Sequence, residues 1–280
     1  MEVLVTGADG QLGYDVVKKL KELNIEHIGV DKEDFDLTNK KETKEFILNY
    51  EPDVIVHCAA YTDVDQAEIE RKLCFKVNVD GTRYVAEATK KLDAKMLYIS
   101  TDYVFDGQGE EPFKVTDQPN PINYYGETKY QGEQEVQKLL DKYFIVRTSW
   151  VFGEHGDNFV KTMLKLGKEK DEISVVADQY GSPTYTGDLA KLIVAMIRTD
   201  KYGVYHVTNE GFCSWYEFAK EIFKVSDIDV NVKAVSSDEF ETKAARPKNS
   251  RLSKNSLIDT NFNLLNKWDK TLKQFLKEMK

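Results

Sequence analysis

Tyr125 and Lys129 carry the clearest chemical possibility in the chain. Within Tyr124-Tyr125-Gly126-Glu127-Thr128-Lys129-Tyr130 a spacing of four puts both on one helix face, where an ammonium beside a phenol favours the phenolate. A phenol titrates near ~10 and releases its proton only when made more acidic. Such a donor suits carbonyl reduction, in which the oxygen gains negative charge as hydride reaches the carbon. The same lysine is placed to hold a nicotinamide ribose. In a chain with 15 tyrosines the motif alone is cheap, and a chance pair on a surface helix is the bland reading. Its context weighs against chance, because it follows Tyr98-Ile99-Ser100-Thr101-Asp102-Tyr103, which reads as a strand end. One hydroxyl there should join Tyr125 at the substrate oxygen. Ser100 and Thr101 compete for that role, since consecutive strand residues face opposite sides.

A second constellation opens the chain: Val3-Leu4-Val5-Thr6-Gly7-Ala8-Asp9-Gly10-Gln11-Leu12-Gly13, a strand, a glycine-rich turn and a helix start. Gly7 allows the tight turn, Gly10 the approach of backbone to a pyrophosphate, and Gly13 the packing of helix on sheet, with Gln11 and Leu12 beside the phosphates at the helix N-terminus. This glycine spacing resembles the short-chain dehydrogenase/reductase superfamily. Asp31, at the end of the second strand, is placed to accept from the adenosine ribose hydroxyls, which favours NADH over NADPH. Lys32 follows at once and offers a 2′-phosphate a partner. Asp36 and Leu37 fall where an adenine would rest, and Ala59, Ala60, Tyr61 and Thr62 close the third strand with mostly small residues that admit a cofactor to the backbone. Asn78 either binds backbone near the site or caps its own helix.

These residues need a frame. Short β-branched runs at Glu2 to Thr6, His27 to Val30, Asp53 to His57, Met96 to Ser100 and Phe144 to Arg147 alternate with helical periods at Gln11 to Leu23, Lys40 to Asn49, Phe75 to Leu92 and Tyr124 to Leu140. That alternation predicts an α/β fold, a Rossmann-type doubly wound parallel sheet, with a smaller, partly interleaved C-terminal substrate lobe. The expected division is residues 1–150 for dinucleotide binding and 151–280 mainly for substrate, with about 185–205 returning to the Rossmann part. In the second half we expect helices at Phe159 to Gly167, Leu189 to Arg198 and Trp215 to Phe223, strands at Ile173 to Val176 and Tyr205 to Thr208, and a last helix after Asn266.

Composition narrows the rest. A net charge of -9 disfavours nucleic acid as a partner, since phosphate-backbone binding wants a basic stripe. No run approaches the ~20 apolar residues of a membrane-spanning helix, and no targeting segment is legible, so a cytoplasmic protein is expected. Three cysteines without paired spacing, Cys58, Cys74 and Cys213, read as small buried hydrophobes, and the four histidines as structural. No metal ligand set is expected.

Six blocks in order extend the resemblance: the glycine loop; Ser100 to Gly107; Tyr125 to Lys129; Arg147-Thr148-Ser149-Trp150-Val151-Phe152-Gly153; Asp178 to Thr184; and Ala244-Ala245-Arg246-Pro247-Lys248-Asn249-Ser250. Together they resemble the dTDP-4-dehydrorhamnose reductases of the extended short-chain superfamily and cover nearly the whole chain. The resemblance implies reduction of the C4 keto group of dTDP-4-dehydro-L-rhamnose by NADH or NADPH, in polysaccharide biosynthesis. It implies Thr101 in place of the usual serine, Tyr125 as proton donor with Lys129 its partner, Asp102 and Trp150 on the sugar, and Arg246 on the substrate phosphate. Some relatives bind magnesium at a dimer interface through glutamates; Asp15 stands in one such place, the C-terminal tail offers no matching acidic cluster, and both monomer and homodimer remain open. The competing readings are a nucleotide-sugar epimerase or dehydratase, and a non-catalytic cofactor-binding subunit resembling the β subunit of methionine adenosyltransferase. Asp102-Tyr103 is not the Asp-Glu pair of dehydratases.

Overall fold

The computed structural model describes residues 1–279. Its elements in chain order are β1 (Val3–Thr6), α1 (Gln11–Glu22), β2 (His27–Val30), α2 (Lys40–Tyr50), β3 (Val54–His57), α3 (Val64–Ala67), α4 (Arg71–Phe75), a π-helical turn (Lys76–Gly81), α5 (Thr82–Lys91), β4 (Lys95–Thr101), α6 (Tyr124–Leu139) and β5 (Tyr143–Thr148). The second half adds β6 (Val151–Phe152), α7 (Phe159–Glu169), β7 (Glu172–Val176), β8 (Tyr180–Gly181), β9 (Thr184–Tyr185), α8 (Thr186–Met196), β10 (Gly203–His206), β11 (Cys213–Ser214), α9 (Trp215–Ser226), β12 (Asn231–Val235), α10 (Asn255–Asp259) and α11 (Trp268–Glu278). None of the described helices is long and apolar enough to cross a membrane.

The main sheet is parallel throughout, in the order β10-β5-β4-β3-β1-β2. Chain order reverses between β1 and β3, which opens a crevice at the C-terminal strand edges where α/β folds bind ligands. Helices cover both faces, so the inner strands are apolar on both sides. Leu97, Phe144 and Val146 pack with α1 and α8 on one face, and Met96, Tyr98 and Ile145 with α5 and α6 on the other. A separate core around Phe152, Phe218 and Phe275 joins β6 and β9 to α7, α9 and α11. The Rossmann-type sheet and the smaller C-terminal lobe are both present as expected.

Several expected boundaries move for physical reasons. The helix expected over Phe75 to Leu92 is broken by the π-helical turn, whose extra residue an apolar period cannot register. Tyr205 to Thr208 and Leu189 to Arg198 are replaced by β10 and α8, each shifted two or three residues towards the N-terminus. β12 escapes notice because it pairs only with β7 and is largely exposed, leaving no inward-outward alternation to read.

Helix α6 is seated by its sequence. Asn123 caps it through the Gly126 N–H at 2.8 Å. Gly132 lets it close on β4 and the π turn: a Cβ there would meet the Tyr98 hydroxyl and lie 2.7 Å from the Asn78 carbonyl oxygen. In a free helix alanine would be favoured over glycine by roughly 0.5–1 kcal/mol. Here overpacking opposes it, so Gly132→Ala is expected to destabilise the protein by about 1–3 kcal/mol in thermal or denaturant unfolding. A gain in stability would mean that this contact is not tight.

Candidate active site

The cleft over the strand edges has a volume of about 1060 Å³. Its first half is built on the glycine loop. Gly7 is left-handed at φ +68°, and a Cβ on it would lie 2.6 Å from the Ala59 amide nitrogen; a Cβ on Gly13 would strike the Gly7 carbonyl oxygen. No other residue type fits either position without moving backbone. Gly10 begins α1 with no side-chain cap and no acidic residue in the first turn, so the helix N–H groups are free for an anion. Gly7, Gly10, Gln11, Leu12, Gly13, Asp31, Asp36, Leu37, Ala59, Ala60, Tyr61 and Thr62 all line this cleft. Asp31 is partly engaged, since its Oδ2 accepts from the Asp9 N–H at 3.1 Å and its Oδ1 from the Lys32 N–H at 2.8 Å. Asp36 bends the chain locally by accepting from the Thr38 N–H at 2.8 Å.

The second half gathers Thr101, Asp102, Tyr125 and Lys129 on the same wall. Strand alternation separates Ser100 from Thr101. The Ser100 hydroxyl donates to Glu133, which also forms a buried two-pronged pair with Arg147, at 2.8 Å through Nε and 2.6 Å through Nη2. Thr101 turns the other way, into the cleft that Tyr125 also lines, with its hydroxyl donating to Asp102 Oδ1 at 3.1 Å and accepting from the Tyr103 N–H at 3.2 Å. Asn78 binds backbone: it accepts from the Tyr61 N–H at 2.8 Å and donates to the Tyr61 carbonyl at 3.2 Å and the Thr128 hydroxyl at 3.0 Å. The π-helical turn thereby ties the cofactor-side loop to α6. His57 and His206 are buried and held neutral, pushed down to about 3 by desolvation, which fits structural roles.

The electrostatics depart from the expected acidified phenol. Burial raises Tyr125, with the Asp102 carboxylate adding to the rise and the Thr101 hydroxyl opposing it. Burial also pushes Lys129 down to about 7, against the pull of Glu133. Its ammonium lies 4.1 Å from the centre of the Tyr98 ring. Desolvation therefore sets the direction for both groups in the free protein, and neither shift has the other member of the pair among its causes. Asp102 is likewise pushed up to about 6 by burial, and its Oδ2 has no hydrogen-bond partner.

The structure places Trp150 on the cleft wall and Arg246 away from it. Trp150 follows β5 at φ +49°, stacked on Trp215 with ring centres 3.7 Å apart, and both indoles pack against the second core while lining the cleft. Arg246 is absent from the cleft wall. Its guanidinium is committed to Asp65 at 2.8 and 3.2 Å, while Asp65 also accepts from the Ala244 N–H, so the charge expected to meet a phosphate is already neutralised. Asp15, at the α1–α8 contact, is buried and raised in pKa by that burial, with the Thr186 hydroxyl opposing the rise. Among the described residues no three His, Cys, Asp or Glu side chains gather closely enough to hold a metal ion. Glu133, Trp215 and Thr148 went unnoticed in the sequence. Glu133 was findable, four residues beyond Lys129 on the Tyr125 face, whereas Trp215 joins the site only through tertiary packing.

Glycines whose side chains would fill the cradle, an uncapped helix start, and buried polar atoms left without partners at Asp102 Oδ2 and Thr148 Oγ1 together fit a dinucleotide with a polar substrate beside it. The sequence model of the RmlD substrate binding domain matches residues 1–280. A dTDP-4-dehydrorhamnose reductase of Aggregatibacter actinomycetemcomitans is 44% identical over 263 residues, covering 89% of this chain and 90% of that protein. This chain belongs to the dTDP-4-dehydrorhamnose reductase family. That family is one of nicotinamide-dependent oxidoreductases. A Bacillus anthracis dTDP-4-dehydrorhamnose reductase solved in complex with NADP is 49% identical with a TM-score of 0.97, over 99% of both chains. A Clostridium acetobutylicum member is 44% identical with a TM-score of 0.98, over 100% of this chain and 99% of that one.

Burial of Lys129 has a measurable sign. Its folded pKa of about 7 lies below the ordinary 10.5, so between those values the unfolded chain binds more protons and stability rises with pH; below about 7 the buried charge weighs fully against folding. Lys129→Met is therefore expected to melt several degrees above the wild type near pH ~6, with the gap narrowing towards pH ~9. Thermal melts across that range check it, and a lower melt for the variant at the acid end would contradict it.

Proposed function

We propose that this protein reduces the C4 keto group of dTDP-4-dehydro-L-rhamnose to a hydroxyl, using NADH or NADPH. The observation that carries the reading is the meeting of Thr101, Tyr125 and Lys129 on the wall of one cleft that continues into the glycine loop. When bound, the reduced nicotinamide supplies a hydride to the keto carbon. Tyr125 gives its proton to the carbonyl oxygen, so the carbon gains hydrogen and the oxygen becomes a hydroxyl. Thr101 hydrogen-bonds that oxygen beside Tyr125 and stabilises the charge that develops on it. Lys129 holds the nicotinamide ribose and stabilises the phenolate left on Tyr125. Asp102 accepts a sugar hydroxyl at its unpartnered oxygen, and Trp150, backed by Trp215, forms an apolar wall for the sugar. The diphosphate needs a partner other than the Arg246 side chain in its present pairing.

Asp31 supports NADH through the ribose hydroxyls, while Lys32 on the same wall supports NADPH. The two separate cores support a division into residues 1–150 and 151–280, with α8 and β10 returning to the first part.

Purified protein is expected to oxidise NADH or NADPH at a rate set by added dTDP-4-dehydro-L-rhamnose, followed by absorbance. Tyr125→Phe should lower kcat by at least ~100-fold, the scale of lost general acid catalysis, with cofactor affinity nearly unchanged. Wild-type protein that binds the cofactor but turns over none of the keto sugar would favour the non-catalytic reading.

A further inference from the structure

Thr148 ends β5 and lines the cleft, is only 5% exposed, and has a hydroxyl with no hydrogen-bond partner. It is the register partner of Thr101 on β4, as Arg147 is of Ser100. Register partners in a parallel pair point to the same face, and successive residues alternate. Arg147 and Ser100 both turn to Glu133, so Thr148 and Thr101 share the opposite face. Neighbouring Ser149 is satisfied, donating to the Ser182 carbonyl at 2.9 Å. A buried hydroxyl left unbonded costs free energy unless a ligand completes it.

The strand order says which part of a ligand reaches it. Asp31 stands at the end of β2, the glycine loop after β1, Ala59 and Ala60 after β3, Thr101 at the end of β4 and Thr148 at the end of β5, which is their spatial order across the sheet. A dinucleotide with its adenosine at β2 and its pyrophosphate over β1 spends its other half over β3 and β4. The group at its far end is the nicotinamide carboxamide, a planar amide that offers both a donor and an acceptor, and a hydroxyl can serve either.

We propose that Thr148 is a positioning residue whose hydroxyl hydrogen-bonds the nicotinamide carboxamide and so fixes the ring plane beside the carbonyl held by Thr101 and Tyr125. The proposal rests on the nicotinamide-cofactor reading of the cleft and adds a residue to it. Thr148→Val keeps the shape and removes the hydroxyl; Thr148→Ser keeps the hydroxyl.

The test is a fluorescence titration with NADPH and with NADH, without sugar, alongside melts of the cofactor-free protein. Thr148→Val is expected to melt at or above the wild type without cofactor, yet to bind the preferred cofactor about 3- to 10-fold more weakly, the scale of one hydrogen bond, with Thr148→Ser restoring affinity. A lower melt of the cofactor-free Val variant would assign the hydroxyl to the fold and overturn the proposal. Unchanged cofactor affinity, or a change confined to the sugar KM, would overturn it as well. Because the titration uses no sugar, its failure is distinct from failure of the reductase reading, which shows as absent turnover in the wild type.

Discussion

A lysine ammonium held almost out of water is the constraint on which the rest of this structure depends. Lys129 is 3% exposed, rests on the face of Tyr98, and has Glu133 one helical turn further on. A group so placed weighs against folding, and the surrounding architecture is what keeps it there. The Asn123 cap, the close seat at Gly132 and the Glu133–Arg147 pair fix α6 against β4 and β5. With that register set, Tyr125 and Thr101 share the cleft wall, and Ser100 is drawn away to the opposite side. The shared cleft wall of Thr101 and Tyr125 and the burial of Lys129 are consequences of one packing arrangement.

The other half of the cleft solves a different problem, the holding of an anion by a chain whose net charge is -9. Local dipoles do what the overall field does not: the uncapped start of α1 directs its N–H groups into the cleft, and the glycine turn leaves room for phosphates to approach them. Asn78 joins the two halves, since its amide grips both backbone groups of Tyr61 and reaches the Thr128 hydroxyl on α6. The π-helical turn that presents it thus lies at the seam between the loop after β3 and α6, and such turns are frequent at functional sites.

Much of this was legible in the residues alone, because strands buried on both faces read as short apolar runs and the glycine loop and YxxxK spacing carry local geometry. The parallel sheet and its helices follow from that, and seventeen of the eighteen residues expected at a site line one cleft. What was not legible depends on tertiary contact. Strand alternation left Ser100 and Thr101 open until Glu133 claimed one of them. Arg246 read as a free cation because its partner, Asp65, lies 181 positions away. The phenol was expected to be acidified by its lysine neighbour, yet desolvation, which sequence spacing does not report, moves both groups the other way. β12 buries none of its five residues fully and only Val232 packs against the second core, which leaves too short a period to read.

The central claim is that Lys129 is buried and under-compensated in the free protein. Its side chain can be followed directly by carbon-13 NMR of labelled lysine, assigned with a Lys129 variant and titrated with and without NADPH. The account predicts a titration of Lys129 close to about 7 in the free protein. A Lys129 resonance titrating at the ordinary 10.5 in the free protein would contradict it.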